Sequence, residues 1–584
     1  MPFRSTIRQV TIVEWTLFRV LVCFLVLGPV ARDALAPGQS KSPAIADFID
    51  VAEKTGLTGT NVFGGKQSST YILESTGTGV AIFDYDNDGW PDIFLVNGTT
   101  LGGFPAKVSP TNHLYHNNHD GTFTDVTEKA GLTATGWGQG VCVGDYDNDG
   151  WEDIYVTYYG KNRLYHNLHG TFEEVATKAG VAGDGNTWGS GCAFVDYDRD
   201  GLLDLVVASY ARFDLAHAAP PGKYPTCQWK GIAVFCGPRG LLADKNTLYR
   251  NLGGGRFENV TQKAGIDKTM GHFCFSVSSF DFDNDGWPDI YISCDSTPSI
   301  LYHNNRDGTF TDVGLFSGVA YNVDGREQAG MGSTVADYDG DGVLDLFRTN
   351  FSDDTSTLYH NNTDGTFSDV TYPAGLGSNT QYLGWGAMFF DFDNDGWPDL
   401  LQVNGHVYPE VDSLGLGIRY AEPKLLYHNN ADGTFTNVSM KAGSGITTPT
   451  PARGLAVGDL WNDGRLSAVI VNRNALPSLL VNRETYYNHW IEIKTVGVHS
   501  NRSGIGTRLT LKTPTRKQVD EVRSGSSYIS QNDLRVHFGL GMTSSIEYLE
   551  VSWPSGLTER FRRLPVDGIV TLTEGTGQRS KDIK

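Results

Sequence analysis

The residues best placed to do chemistry are aspartates that recur in one block, Asp-x-Asp-x-Asp-Gly-x-x-Asp. The block supplies Asp84, Asp86, Asp88 and Asp92, then Asp145, Asp147, Asp149 and Asp153, then Asp196, Asp198, Asp200 and Asp204. It returns with Asp281, Asp283, Asp285 and Asp289, with Asp337, Asp339, Asp341 and Asp345, and with Asp391, Asp393, Asp395 and Asp399. Calcium takes six to eight hard oxygen ligands in a flexible shell. Carboxylates at positions 1, 3 and 5 can converge on such an ion. Glycine at position 6 permits the sharp turn, position 7 (Trp90 in the first loop) offers a backbone carbonyl, and the aspartate at position 9 closes the shell. A helix-loop-helix site would need glutamate at position 12, where Leu95 stands inside a strand-like run. Isolated Asp-Asn-Asp-Gly runs are often plain polar turns. Six copies that all keep the ninth aspartate argue for bound cations, because clustered carboxylates without one repel each other. The sequence therefore predicts about six calcium ions with a structural role. A seventh copy begins at Asp459, but Trp461 and Ser467 replace two ligands, so it is expected to be empty or weak.

Other candidates are fewer. His116, His166, His303, His360 and His428 stand in repeated Leu-Tyr-His-Asn units, and that repetition predicts a structural role. His406 and Tyr408 open a long segment after a strand-like run and are candidates to touch a ligand, since such side chains offer contact area with a polar tip. The alternative is that they pack against neighbouring loops. Cys227 and Cys236 lie close together and are expected to pair. Cys142, Cys192, Cys274 and Cys294 can be disulfides or buried thiols. Dinucleotide, P-loop, zinc-protease and nucleophile-elbow motifs are all absent. An enzyme with a scattered site, a lyase or hydrolase acting on extracellular polymers, stays open as the alternative to a binding scaffold.

The elements that must position these residues repeat with them. Each loop joins two short apolar runs, such as Val80–Phe83 and 93–96, which read as strands. Leu-Tyr-x-Asn and Phe-x-x-Val follow, usually with Asp-Gly between them, a strong hairpin signal. Four strands per unit and seven units predict an all-β chain: a seven-bladed β-propeller followed by a small sandwich-like β domain. The last unit lacks its fourth strand, and a spare Phe-x-x-Val lies at residues 48–51. The N-terminal strand is thus expected to complete the last blade and remove an open edge. Insertions at 98–113, 211–247 and 405–425 all follow second strands, so they should gather on the face opposite the aspartate loops.

Residues 1–36 read as an export signal, with Arg4 and Arg8 ahead of the apolar run Val20 to Ala31. No later segment is long and apolar enough to anchor the chain in a membrane. The net charge of −21 opposes a nucleic-acid partner. A secreted, periplasmic or surface location and an extracellular protein or glycan ligand are expected. The propeller should span 41–483, the second domain 484–577 and a polar tail 578–584.

The loops resemble the FG-GAP/VCBS repeats of integrin α-chain propellers. Asn501-Arg502, Gly504-Ile505-Gly506, the Gly525 to Ser530 run, His537-Phe538-Gly539-Leu540-Gly541 and Trp553-Pro554-Ser555-Gly556 look like an ASPIC/UnbV domain. Together they resemble the cartilage acidic protein family and its bacterial relatives. That resemblance implies an exported calcium-binding protein with adhesion or matrix interaction as its suggested role.

Overall fold

A computed structural model of the chain describes residues 45–268, 271–415 and 417–579. The expected export signal, residues 1–36, lies outside these residues, as does most of the expected polar tail. Almost every element is a strand, and seven four-stranded antiparallel sheets account for most of them.

The first sheet shows how the repeat folds. Val80–Phe83, Asp92–Leu95, His113–Asn117 and Phe123–Asp125 are adjacent in sequence order. Their registers place Val80 opposite Leu95, Ile93 opposite Tyr115, and Tyr115 opposite Asp125. The two inner strands are buried on both faces, because neighbouring sheets cover them. That is why they read as apolar runs without alternation. The first strands of the seven sheets touch one another in cyclic order, the seventh against the first. A β-propeller results.

The ring closes as the repeat count requires. Phe48–Asp50 pairs antiparallel with Ser478–Asn482, with Phe48 opposite Asn482. Phe48 is buried, edge-on to Phe392 at 6.0 Å. Two sequence signals clamp adjacent sheets. The asparagine of Leu-Tyr-x-Asn donates to the loop of the preceding sheet: Asn167 to the Tyr85 carbonyl at 2.8 Å, Asn251 to Tyr146 at 2.7 Å, Asn117 to Leu460 at 2.8 Å. The glycine that ends each short turn after a fourth strand abuts the next sheet. Gly131, at φ +82°, would bring an added Cβ within 2.8 Å of the Phe172 carbonyl oxygen. Its left-handed backbone and the lack of room both call for glycine.

The C-terminal strands form two further sheets. His489–Val496 pairs antiparallel with Val536–Gly541 and parallel with Gly568–Thr573, and Arg508–Lys512 lies inside a five-stranded sheet. Ile491, Leu509, Val551 and Trp553 belong to the core they share. This domain sits on the aspartate-loop face. Asn148 accepts from Arg502 N–H at 2.8 Å, and Arg508 donates to the Gly342 carbonyl at 2.9 Å. From it a hairpin, residues 523–533, enters the ring. Ser527 and Ser333 exchange backbone hydrogen bonds, Gln531 N–H donates to Val80, and Val141 N–H donates to Ile529. The tip residue Tyr528 reaches the far end, where its hydroxyl donates to the Thr76 carbonyl and its ring lies 4.7 Å from Trp385. The hairpin fills the channel.

All six cysteines among the described residues pair. Cys227–Cys236 forms as expected. Cys142–Cys192 links the first strands of neighbouring sheets, and Cys274–Cys294 joins two strands of one sheet.

Candidate metal centres and the insertion face

Each aspartate loop is a tight turn built on its own carboxylates. Asp84 accepts the Asp88 and Gly89 N–H groups at 3.1 and 3.0 Å, and the same pair of contacts recurs at Asp145, Asp281 and Asp391. The ninth-position aspartate pins the loop to the sheet. Asp92 accepts Asn117 N–H at 2.8 Å and Tyr85 N–H at 3.1 Å, and its equivalents Asp153, Asp204, Asp289 and Asp399 do likewise. Position 9 is thus buried and already hydrogen-bonded, and position 1 is buried or, at Asp84 and Asp281, half-buried and accepts from the loop backbone. Positions 3 and 5 (Asp86 and Asp88, Asp147 and Asp149, Asp198 and Asp200, Asp283 and Asp285, Asp339 and Asp341, Asp393 and Asp395) are half-buried or exposed, apart from the buried Asp393.

The histidines join these carboxylates. His116 Nδ1 lies 3.3 Å from Asp86 and 3.5 Å from Asp92. His166 is 3.5 and 3.2 Å from Asp147 and Asp153, and His303 is 3.6 and 3.3 Å from Asp283 and Asp289. His360 is 3.1 and 3.2 Å from Asp339 and Asp345, and His428 is 3.9 and 3.0 Å from Asp393 and Asp399. Each imidazole forms, with two loop carboxylates, a group able to hold a metal ion. The sequence reading set the histidines aside as structural. The recurrence behind that reading is also what a repeated site produces, and the strand register that delivers the ring to the loop is visible only in the fold.

Donor chemistry fits a divalent cation. Oδ1 of Asp86, Asp147, Asp196, Asp198 and Asp337 is buried with no hydrogen-bond partner, as is Nδ1 of His116, His303 and His360. Burial pushes the Asp92 carboxyl up to about 9, and Asp145, Asp153 and Asp345 to about 7. The aspartate next to each ring raises His166, His360 and His428 to about 9. For the carboxylates, repulsion from neighbouring aspartates adds to the burial.

Two loops differ. In the third, Leu-Tyr-Arg-Asn replaces Leu-Tyr-His-Asn, and Arg250 lies 2.7 Å from Asp198 and 3.0 Å from Asp200. In the seventh, the Trp461 indole donates to Ser467 at 3.2 Å, and Arg465 binds Asp463. An indole thus stands where the other loops place a carboxylate.

On the opposite face the insertions fold over the channel mouth into an aromatic cluster that includes Trp188, Tyr210, Phe235, Phe275, Trp385 and Tyr528. His406 and Tyr408 lie inside it, 0% and 7% exposed. Trp229 sits 4.7 Å from the His406 ring, and Phe235 4.7 Å from Tyr408. Tyr408 N–H donates to His406 Nδ1 at 3.2 Å, and burial next to Arg453 pushes the imidazole down to about 3. Neither side chain is offered to solvent. The packing alternative describes their placement. The surface that the insertions do expose carries Phe104, Val108, Leu215, Tyr224 and Leu242.

With this geometry in place, the relatives can be assigned. The FG-GAP-like repeat model matches residues 84–156, 145–207, 234–292, 281–348 and 337–401. The ASPIC and UnbV model matches residues 497–579. The ring of sheets and its repeated carboxylate loops define a repeat propeller. The chain belongs to the FG-GAP repeat family and carries an ASPIC/UnbV domain. It is similar to cartilage acidic protein 1 of Xenopus tropicalis, 25% identical over 515 residues that cover 82% of this chain and 70% of the relative. The Homo sapiens protein of the same name is 24% identical over 505 residues, covering 82% and 69%. Among solved structures, an Agrocybe aegerita lectin that recognises non-reducing terminal N-acetylglucosamine aligns over 67% of this chain and 88% of its own. That likeness, at 17% identity and a TM-score of 0.37, is too loose to carry an argument.

Proposed function

We propose that the protein is an exported scaffold that holds an extracellular protein or glycan on the insertion face, with calcium bound structurally in the loops of the other face. The observation that carries this reading is the division of labour between the two faces. One face repeats a carboxylate-rich loop whose open oxygens need a cation. The other packs two irregular insertions, 211–247 and 405–425, over one end of a rigid ring and leaves large apolar side chains exposed. Loops carried on a rigid framework are where binding residues concentrate, and exposed apolar patches mark contact surfaces. Three disulfides suit an oxidising compartment. Among the described residues no helix is long and apolar enough to cross a membrane.

Calcium removal tests the structural half. A ligand bound only by the folded chain stabilises it by about 2.7 kcal/mol per site at a hundredfold excess over Kd. Chelation should lower the melting temperature, and calcium should restore it. A melt indifferent to chelator would refute the structural role of calcium. For the binding half, the mature chain is screened against glycan and exported-protein arrays. The Tyr224→Ser, Leu242→Ser variant should lose any hit while melting like the parent. Retention of the hit would place the contact elsewhere.

A further inference from the structure

The six full loops share their four aspartates but not their surroundings. Resting on the reading of these loops as cation sites, we propose that the residue between the tyrosine and the asparagine of each third strand decides what fills the adjacent loop. Five loops take a divalent cation, and the third holds the guanidinium of Arg250 in its place.

The argument is positional. His116, His166, His303, His360 and His428 occupy one site in five sheets, and Arg250 occupies it in the sixth. A neutral imidazole carries no charge, so it does not exclude a divalent cation from the carboxylates beside it. Guanidinium does, because it carries five donors, no acceptor, and a permanent charge. Arg250 directs Nε to Asp198 at 2.7 Å and Nη2 to Asp200 at 3.0 Å. These are the position 3 and position 5 carboxylates, and in no other full loop, among the described residues, does one permanently charged side chain hold both. A divalent ion entering the third loop would have to displace both hydrogen bonds and then sit beside a fixed positive charge. Coulomb repulsion at such spacing opposes it strongly.

A second arginine reinforces the arrangement. At loop position 4, where Asn87, Asn148, Asn284, Asn394 and Asn462 stand in other copies, the third loop has Arg199. Its guanidinium reaches the next loop, donating to the Gly286 carbonyl at 3.1 Å and lying 5.0 Å from the Trp287 ring. The fourth loop provides the contrast. Arg306 there binds Asp285 at 2.8 Å, but Asp283 faces His303 and no guanidinium, so its carboxylate is not held by a permanent positive charge. The seventh loop is filled by Trp461. The expected count is therefore five.

The test is a metal count on the full chain, equilibrated with calcium and then freed of excess. Five calcium ions per chain are expected. Arg250→His should raise the count to six. Asp198→Asn should leave it at five, whereas Asp283→Asn should lower it to four. Six ions in the parent, or one lost in Asp198→Asn, would overturn the proposal while leaving the loops as calcium sites. A count near zero would overturn both readings. The parent and Asp198→Asn counts decide the matter even if Arg250→His does not fold.

Discussion

Glu422 shows what a single buried charge does in this fold. It is almost fully buried on the insertion side, where its carboxylate accepts Leu383 N–H at 2.9 Å. Burial pushes its pKa up to about 8, against a smaller opposing pull from that hydrogen bond and from Arg453. A carboxyl raised in the folded state binds more protons folded than unfolded between its ordinary value and about 8. The stability it contributes is complete below the ordinary carboxylate range and is lost as pH rises through about 8. Glu422→Gln, which can still accept from Leu383, should therefore stabilise the chain by roughly 1–3 kcal/mol at pH 8–9. It should change little at pH 4.5, and melting across that range checks the difference. At this scale the sequence was partly legible. Aspartate spacing pointed to the cation loops, because ligands held within one turn must lie close in sequence. His116 and its equivalents, and Arg250, come from a different strand of the same sheet, so no local spacing announces them. The roles of Asn167 and Asn251 were hidden for the same reason, since their partners belong to the preceding sheet.

At the scale of elements, the N-terminal strand bears the largest consequence for its size. Three residues, Phe48–Asp50, complete a four-stranded sheet and cover Ser478–Asn482. A chain beginning at residue 58 would expose that edge and uncover the pocket of Phe48. Exposed strand edges template association with other chains. The truncation should aggregate on heating and lose a single cooperative transition, as light scattering and calorimetry would show. A melt matching the parent would mean that the ring does not need this strand. The repeat count foretold this pairing, because seven loops and six following strands leave one partner missing. The insertions were less legible. His406 and Tyr408 looked available because they open a long loop after a rigid strand. Trp229 and Phe235, supplied by a different insertion nearly two hundred positions earlier, cover them. Sequence shows that loops are long and which face they leave from, but not which of them meet. The disulfide partners Cys142 and Cys192 were open for a related reason, as they join two sheets whose facing register is set by the ring.

At the scale of the molecule, the two domains share one interior. The 523–533 hairpin hydrogen-bonds to the first strands of several sheets, and Tyr528 joins the aromatic cluster beneath the insertions. Tyr528→Ala would leave a void among Phe275, Trp385 and Ile529 at the far end of the channel. Large aromatic truncations of this kind cost about 3–5 kcal/mol. The variant should melt lower, and tryptophan fluorescence should report the loosened Trp385. If neither changes, the hairpin tip is not part of the ring's core. The C-terminal motif legible in the sequence, Gly525 to Ser530, gave no hint of this destination, since its neighbours come from the propeller. The hairpin also sets an order of events. Asp47 and Asn482, 435 positions apart, must meet before the ring is shut, and the chain that fills the channel is made later still. Pairings across such separations form slowly, because the loop must close before any contact rewards it. The same topology acts in reverse. A ring bolted by its first strand and cored by its C-terminal domain cannot come apart one sheet at a time from an exposed end, so its persistence is governed by a rate of opening as well as by an equilibrium.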